Sequence, residues 1–326
     1  MTGIAVQSRT ADALVPSAAT GVHVIRDGST RVHWVSSPRS FSMTGGRLDP
    51  VSKIFSAVNK SALTQFSFLS IRGPEPVLDM EGVEYVKGWA RGEKQEIFDV
   101  VTFVLVLPPK SSALICRLTA PQVLEEMFYA LPWEPLRPVQ DTTGGPGLCF
   151  PLQIEALCTQ SVGGPMTHFF CESFHAVDFR CPVSTPLLAV GDGTVFEVAD
   201  SNVVSGIWAE NLGKWNSISI DLECGPFRFD YVHIKAGSAR VRPGDKVARG
   251  QIICESGDVG FSPEPHVHLE MHRIDDLDGP SEPFLFTTSA DVAYVPVACR
   301  VYGPQGEVGV SDFSTAATAC ASLCQT

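Results

Sequence analysis

The feature that most constrains this chain is the alternation in Pro265-His-Val-His-Leu-Glu-Met-His272. Side chains along a β-strand point to opposite faces with a period of two. A strand therefore lines up His266, His268, Glu270 and His272 on one face and turns Val267, Leu269 and Met271 toward a core. A helix would scatter both sets around its circumference. The segment calls for a sheet with one apolar face and one histidine-bearing face. Two imidazoles on that face can reach one metal region or one substrate, and a solvated polar face is the plainer alternative.

Six of the eight histidines (His168, His175, His233, His266, His268 and His272) fall between residues 168 and 272, which points to a site. Two shorter segments join the alternating strand. Phe174-His-Ala-Val-Asp-Phe179 holds Asp178 in an apolar β stretch, where a buried carboxylate needs a cation, a metal or several donors. Tyr231-Val-His-Ile234 sets His233 in a strand, where a lone histidine is ordinarily a hydrogen-bonded core residue.

Around these segments the texture is β. Residues 1–20 read as a loose arm and 21–140 as a β-rich region. Within it, Gln122–Leu131 has the apolar spacing of a helix stopped by Pro132. The turn formers of Leu136–Gly147 read as a linker. Beyond them, Leu187–Val190 and Thr194–Val198 flank Gly191-Asp-Gly193 as a hairpin whose glycines would take positive φ. Further strands are expected at Ser217–Leu222 and Phe227–Ile234, and the small-residue run 314–322 could form a short helix.

Charge and hydropathy exclude whole classes of function. With 24 Lys+Arg against 36 Asp+Glu the formal charge is −12, which disfavours a nucleic-acid partner. The longest apolar run, Val100–Leu107, ends at Pro108-Pro109, short of the ~20 residues of a membrane-spanning helix. No basic cluster followed by ~7–15 apolar residues opens the chain, so no secretory signal is visible and the expected location is cytoplasmic or unknown. The ten cysteines form no C-x-x-C pair and read as mostly buried thiols, an even count leaving room for a few disulfides.

The motifs run in one order: Ala176-Val-Asp-Phe-Arg-Cys-Pro182, Thr185-Pro-Leu-Leu-Ala-Val-Gly-Asp-Gly-Thr-Val195, Tyr231-Val-His-Ile234, Val241-Arg-Pro-Gly-Asp-Lys-Val-Ala-Arg-Gly-Gln-Ile-Ile253, Ser256-Gly-Asp-Val-Gly-Phe-Ser262 and Pro265-His-Val-His-Leu-Glu270. This series resembles the lysostaphin/LytM-type zinc metallopeptidases over about residues 158–287. The resemblance implies a mostly β fold, the duplicated hybrid motif: a β-sheet groove domain related to lipoyl-type hybrid barrels. The expected organisation is a separate β-rich N-terminal region, a metallopeptidase domain over 148–290 and a C-terminal extension over 291–326. Carried over by position, Asp178 and His268 are zinc ligands and His266 is the general base. His233 is the partner that positions water and steadies the oxyanion.

The first ligand departs from the family's H-x-x-x-D spacing. His175 lies three residues before Asp178, and an odd offset puts it on the opposite strand face. Thr167-His168 resembles an upstream Ser-His-type dipeptide, so His168 is preferred and His175 stays open. Two His and one Asp leave a fourth position for water, the pattern of a catalytic zinc. The implied activity is a Zn2+ endopeptidase acting on short peptide cross-links of peptidoglycan type, often beside glycine. The alternative is a non-catalytic family member that binds a peptide or activates another enzyme. A lipoyl-type carrier would need a Met-Lys-Met-like motif, which this sequence lacks.

Overall fold

The computed structural model describes residues 84–118, 147–164, 167–168, 171–276 and 280–309, with short stretches of the first 129 residues (6–7, 24–25, 32–33, 45–49, 52–60, 62, 65–73, 76 and 123–129). The expected arm (except 6–7), the linker before Gly147 and the run 314–322 lie outside the described residues. The chain forms two compact units. One holds Met1–Pro135, Val204–Gly213 and Ala321–Thr326, and the other holds Leu136–Val203 and Lys214–Cys320.

In the first unit, Glu84–Arg91, Ile97–Leu107, Gln65–Arg72 and Val123–Tyr129 are successive antiparallel neighbours in one sheet. The last of these corrects an expectation, because the helix read at Gln122–Leu131 is a strand. Its backbone pairs with Gln65–Arg72 along Val123–Tyr129. Isolated helices under ~12–15 residues are marginal in water, so a ladder that satisfies the backbone outweighs four apolar residues at helical spacing. Ser205–Gly206 pairs along Glu84–Arg91. Phe55, Leu69, Ile71 and Phe103 centre this unit's core.

The second unit is built on an open nine-stranded antiparallel sheet. Its strands in chain order, with the pair β3 and β8 beside them, are β1 (Ala156–Gln160), β2 (Val177–Arg180), β3 (Pro186–Leu188), β4 (Gly193–Ala199), β5 (Ser217–Leu222), β6 (Phe227–Val232), β7 (Lys246–Val247), β8 (Ile252–Glu255), β9 (His266–Arg273), β10 (Val301–Gly303) and β11 (Gly306–Gly309). The sheet order is β7-β4-β5-β6-β9-β2-β1-β10-β11, while β3 pairs with β8. Among the residues beyond 291, Val301–Gly303 and Gly306–Gly309 thus belong to the same sheet, through β10.

The hairpin expected around Gly191-Asp-Gly193 does not form, since β3 pairs with β8 and β4 pairs with β5 and β7. Neither glycine takes positive φ. Gly193 serves close approach instead: a Cβ there would sit 2.6 Å from the Asp221 carbonyl oxygen. The left-handed position falls on Gly244 (φ +92), where the Asp245 amide donates to the Arg242 carbonyl at 3.0 Å and closes the Arg242-Pro-Gly-Asp245 turn.

The centre of the sheet has two differently made faces. Phe179, Phe229, Tyr231, Val267, Leu269 and Met271 occupy one of them, inside the unit's core. The Tyr231 hydroxyl accepts the Val190 amide at 2.7 Å, satisfying its polar end. Among the described residues no helix is long and apolar enough to cross a membrane. Cysteines 149, 158, 181, 224 and 254 are free thiols, whereas Cys299 is disulfide-bonded. The thiol state is therefore not uniform along the chain.

Candidate metal centre and active site

The other face of the sheet carries the polar residues in rows. Antiparallel register sets Asp178 opposite His268 and His268 opposite Val232. On one side of that row Arg180 faces His266. On the other side Glu270 faces Asp230, which faces Ser219. Directly opposed residues have Cβ atoms only ~4.5–5.5 Å apart, so the register alone brings their side chains together. The face is buried: His266 is 4% exposed, Asp178 6% and His268 8%. It is not the solvated surface of the plainer reading.

Three ligand-type atoms converge in the central row. His268 Nδ1 lies 2.9 Å from Asp178 Oδ1, and His168 Nε2 lies 3.2 Å from each of them. The remaining nitrogens show why. His168 Nδ1 donates to the Ser161 carbonyl at 3.1 Å, and His268 Nε2 donates to Glu270 Oε2 at 3.1 Å. In the neutral imidazoles both inward nitrogens then carry lone pairs. Four ligands at ~2.0–2.1 Å around a tetrahedral zinc stand about 3.3 Å apart, so these three atoms fit such an ion with little rearrangement.

Without a cation, protons must hold this arrangement together. Burial works against a charged His268, but the Glu270 charge and the hydrogen bonds to Asp178 and Glu270 raise it to about 10. Burial also opposes ionised Asp178, yet the His168 and His266 charges, with hydrogen bonds from His168 and His268, hold it well below the usual carboxylate range. A metal ion would displace the inward protons and take their place electrostatically.

The two other histidines flank this trio. His266 Nδ1 donates to the Glu264 carbonyl at 2.7 Å, and its Nε2 stands 3.9 Å from Asp178 Oδ2. His233 Nδ1 donates to the Val259 carbonyl at 2.6 Å, and its ring centroid lies 4.6 Å from that of His266. Strand alternation would have put His233 on the core face with Tyr231. Instead β6 ends at Val232, and His233 adopts φ +64, turning its side chain to the histidine face. A non-glycine residue there is strained and is held by its surroundings. Burial, then the charges of His266 and His268, lower His233 to about 3, so the ring is neutral.

His175 stands outside this group. Its Nδ1 donates to the Ser281 carbonyl at 2.7 Å, and Ser281 Oγ accepts its amide at 2.9 Å. His175 sits in a turn ahead of β2, which begins at Val177, so the local loop conformation and not strand alternation separates it from Asp178. Gln160 was not foreseen: its Nε2 donates to Asp178 Oδ2 and to Thr167 Oγ1, both at 2.9 Å. It reaches them from a bulge between Cys158 and Gln160, which no sequence signal marks. Glu270 was placed on the correct face, but its bond to His268 depends on ring orientation.

The model of Peptidase family M23 matches residues 172–280, a range that contains Asp178, His233, His266 and His268 and begins after His168. The glycyl-glycine endopeptidase ALE-1 of Staphylococcus capitis is 35% identical over 96 residues, covering 29% of this chain and 24% of that protein. Lysostaphin of Staphylococcus simulans is 33% identical over 96 residues, covering 29% of this chain and 17% of its own length. The chain thus spans about a quarter or less of these relatives. The solved catalytic domain of that lysostaphin aligns with 44% of this chain and 89% of its own, at 25% identity and a TM-score of 0.28.

Proposed function

We propose that this chain, whose residues 172–280 are a peptidase family M23 domain, is a zinc-dependent endopeptidase. Its ligands are His168, Asp178 and His268, and its substrates are short, glycine-adjacent peptide cross-links of peptidoglycan type. The observation that carries the reading is the convergence of two imidazole lone pairs and one carboxylate oxygen within 3.2 Å of one another in a buried row. The substrate class is supported by the relative named as a glycyl-glycine endopeptidase, 35% identical over 96 residues.

When bound, zinc supplies Lewis-acid polarisation of the scissile carbonyl and acidifies water. His266 is proposed as the general base. Its Nδ1 proton is committed to the Glu264 carbonyl, which leaves Nε2 with a lone pair on the site side. That nitrogen takes a proton from water as the oxygen–carbon bond forms, then returns it to the amine as the carbon–nitrogen bond breaks. A carboxylate and a free amine result.

His233, whose ring lies beside that of His266, is proposed to position the attacking water. A neutral ring whose Nδ1 proton goes to Val259 has only an acceptor at Nε2. It can hold the attacking water by accepting from it. Steadying the oxyanion, the other part of its expected role, would require the ring to donate from Nε2.

Metal analysis of the purified chain, paired with digestion of a glycine-bridged peptidoglycan, tests the proposal. His268→Ala should lose bound zinc and hydrolysis together. His266→Ala should keep zinc and lose hydrolysis by at least ~100-fold. Unchanged zinc in His268→Ala would refute the ligand set. Zinc binding without hydrolysis of any peptide by the unaltered chain would instead favour the non-catalytic binder.

A further inference from the structure

The carboxylate two residues beyond His268 does more than occupy the strand's polar face. Glu270 Oε2 accepts from His268 Nε2 at 3.1 Å and from Ser173 Oγ at 3.0 Å. Its other oxygen, Oε1, lies 3.6 Å from His272 Nε2. Asp230 faces Glu270 across β6 and β9, with Oδ1 accepting from Ser219 Oγ. His268, Ser173 and His272 thus hold the Glu270 carboxylate, while Asp230 stands beside it as a second carboxylate within 4.8 Å.

The consequence falls on the His268 ring. An ionised carboxylate accepts hydrogen bonds and donates none, so Nε2 must carry the proton. Nδ1 then presents its lone pair toward Asp178 Oδ1 at 2.9 Å and His168 Nε2 at 3.2 Å. Were the ring flipped, the protonated nitrogen would face the other two ligands. Metal-bound histidines commonly gain orientation and basicity from a carboxylate on the second nitrogen. Of the two histidine ligands, His168 is held by a neutral carbonyl and His268 by a carboxylate.

Resting on the zinc reading above, we propose that Glu270 is a positioning residue for His268. It selects Nδ1 as the liganding atom and strengthens it, and Ser173 keeps the carboxylate in place. A merely structural Glu270 would matter for stability and leave metal affinity alone. Partnering the buried imidazole would then be its whole role, and a neutral acceptor would serve as well.

The full-length chain, stripped of metal, would be titrated with zinc against a chelator of known affinity. Glu270→Ala should weaken zinc binding roughly 10–100-fold. Glu270→Gln keeps an acceptor without the charge and should recover only part of that loss. Ser173→Ala leaves the carboxylate in place but loosens it, and should weaken binding severalfold, which keeps the test open if Glu270→Ala fails to fold. Cobalt(II) absorption bands should shift in Glu270→Ala, reporting a changed ligand field independently of turnover. Unaltered zinc affinity in Glu270→Ala, or full recovery in Glu270→Gln, would overturn the proposal. His268→Ala separates the two layers. If it binds zinc normally, the zinc reading fails. If it loses zinc while Glu270→Ala retains it, only the role of Glu270 fails.

Discussion

His233 shows how much a single backbone angle can decide. At φ +64 it leaves the strand it ends and joins the face that bears His266 and His268. Its burial has a measurable cost in acid. An unfolded imidazole titrates near 6.5, whereas His233 in the fold titrates at about 3. Protonation therefore favours the unfolded chain. The associated stability is complete above ~6.5 and is lost as pH falls toward 3. Urea unfolding of the metal-free protein between these limits should lose stability less steeply in His233→Gln than in the unaltered chain. Identical pH slopes would show that His233 does not titrate as described. Nothing in the sequence marks the angle, because histidine is not a residue that demands positive φ.

At the scale of elements, the loop after β8 holds His233 in place. Gly257 packs against the backbone that leaves that residue, on either side of Ile234. A Cβ at Gly257 would lie 2.7 Å from the His233 carbonyl oxygen and 2.7 Å from the Lys235 amide nitrogen. Neither backbone atom can yield as a side chain would. Gly257→Ala should cost about 1–3 kcal/mol in a urea melt, as overpacking does, and should slow hydrolysis while zinc content holds. Equal turnover at unchanged stability would mean that the loop adjusts freely. Elements also differ in how openly the sequence declares them. The 266–272 alternation reads directly because a half-apolar strand has one workable face. The 122–131 segment misleads because its apolar spacing suits a helix, while its backbone is claimed by the neighbouring strand. The Gly191-Asp-Gly193 segment misleads because glycine serves close approach as readily as positive φ.

At the scale of the whole molecule, the chain leaves the second unit at Val204 and returns at Lys214, contributing Val204–Gly213 to the first. Ser205 and Gly206 pair with Arg91 and Ala90, and Ile207 and Ala209 are fully buried. A fragment comprising 136–320 keeps this segment without its partner strand. It should be less soluble than the full chain, and replacing 204–213 with a short polar linker should restore its solubility, as size-exclusion chromatography would report. Equal solubility of the unmodified fragment would show that the segment needs no partner.

The sequence by itself determined the β character and the shared face of His266, His268 and Glu270. Each follows from side-chain alternation over adjacent residues, which is local. Only the tertiary structure decided that His168 reaches His268 across a hundred residues, that Gln160 holds Asp178, and that His233 turns inward. Those outcomes depend on strand register and backbone angles, which are set by the packing of distant segments and leave no periodic trace in the chain.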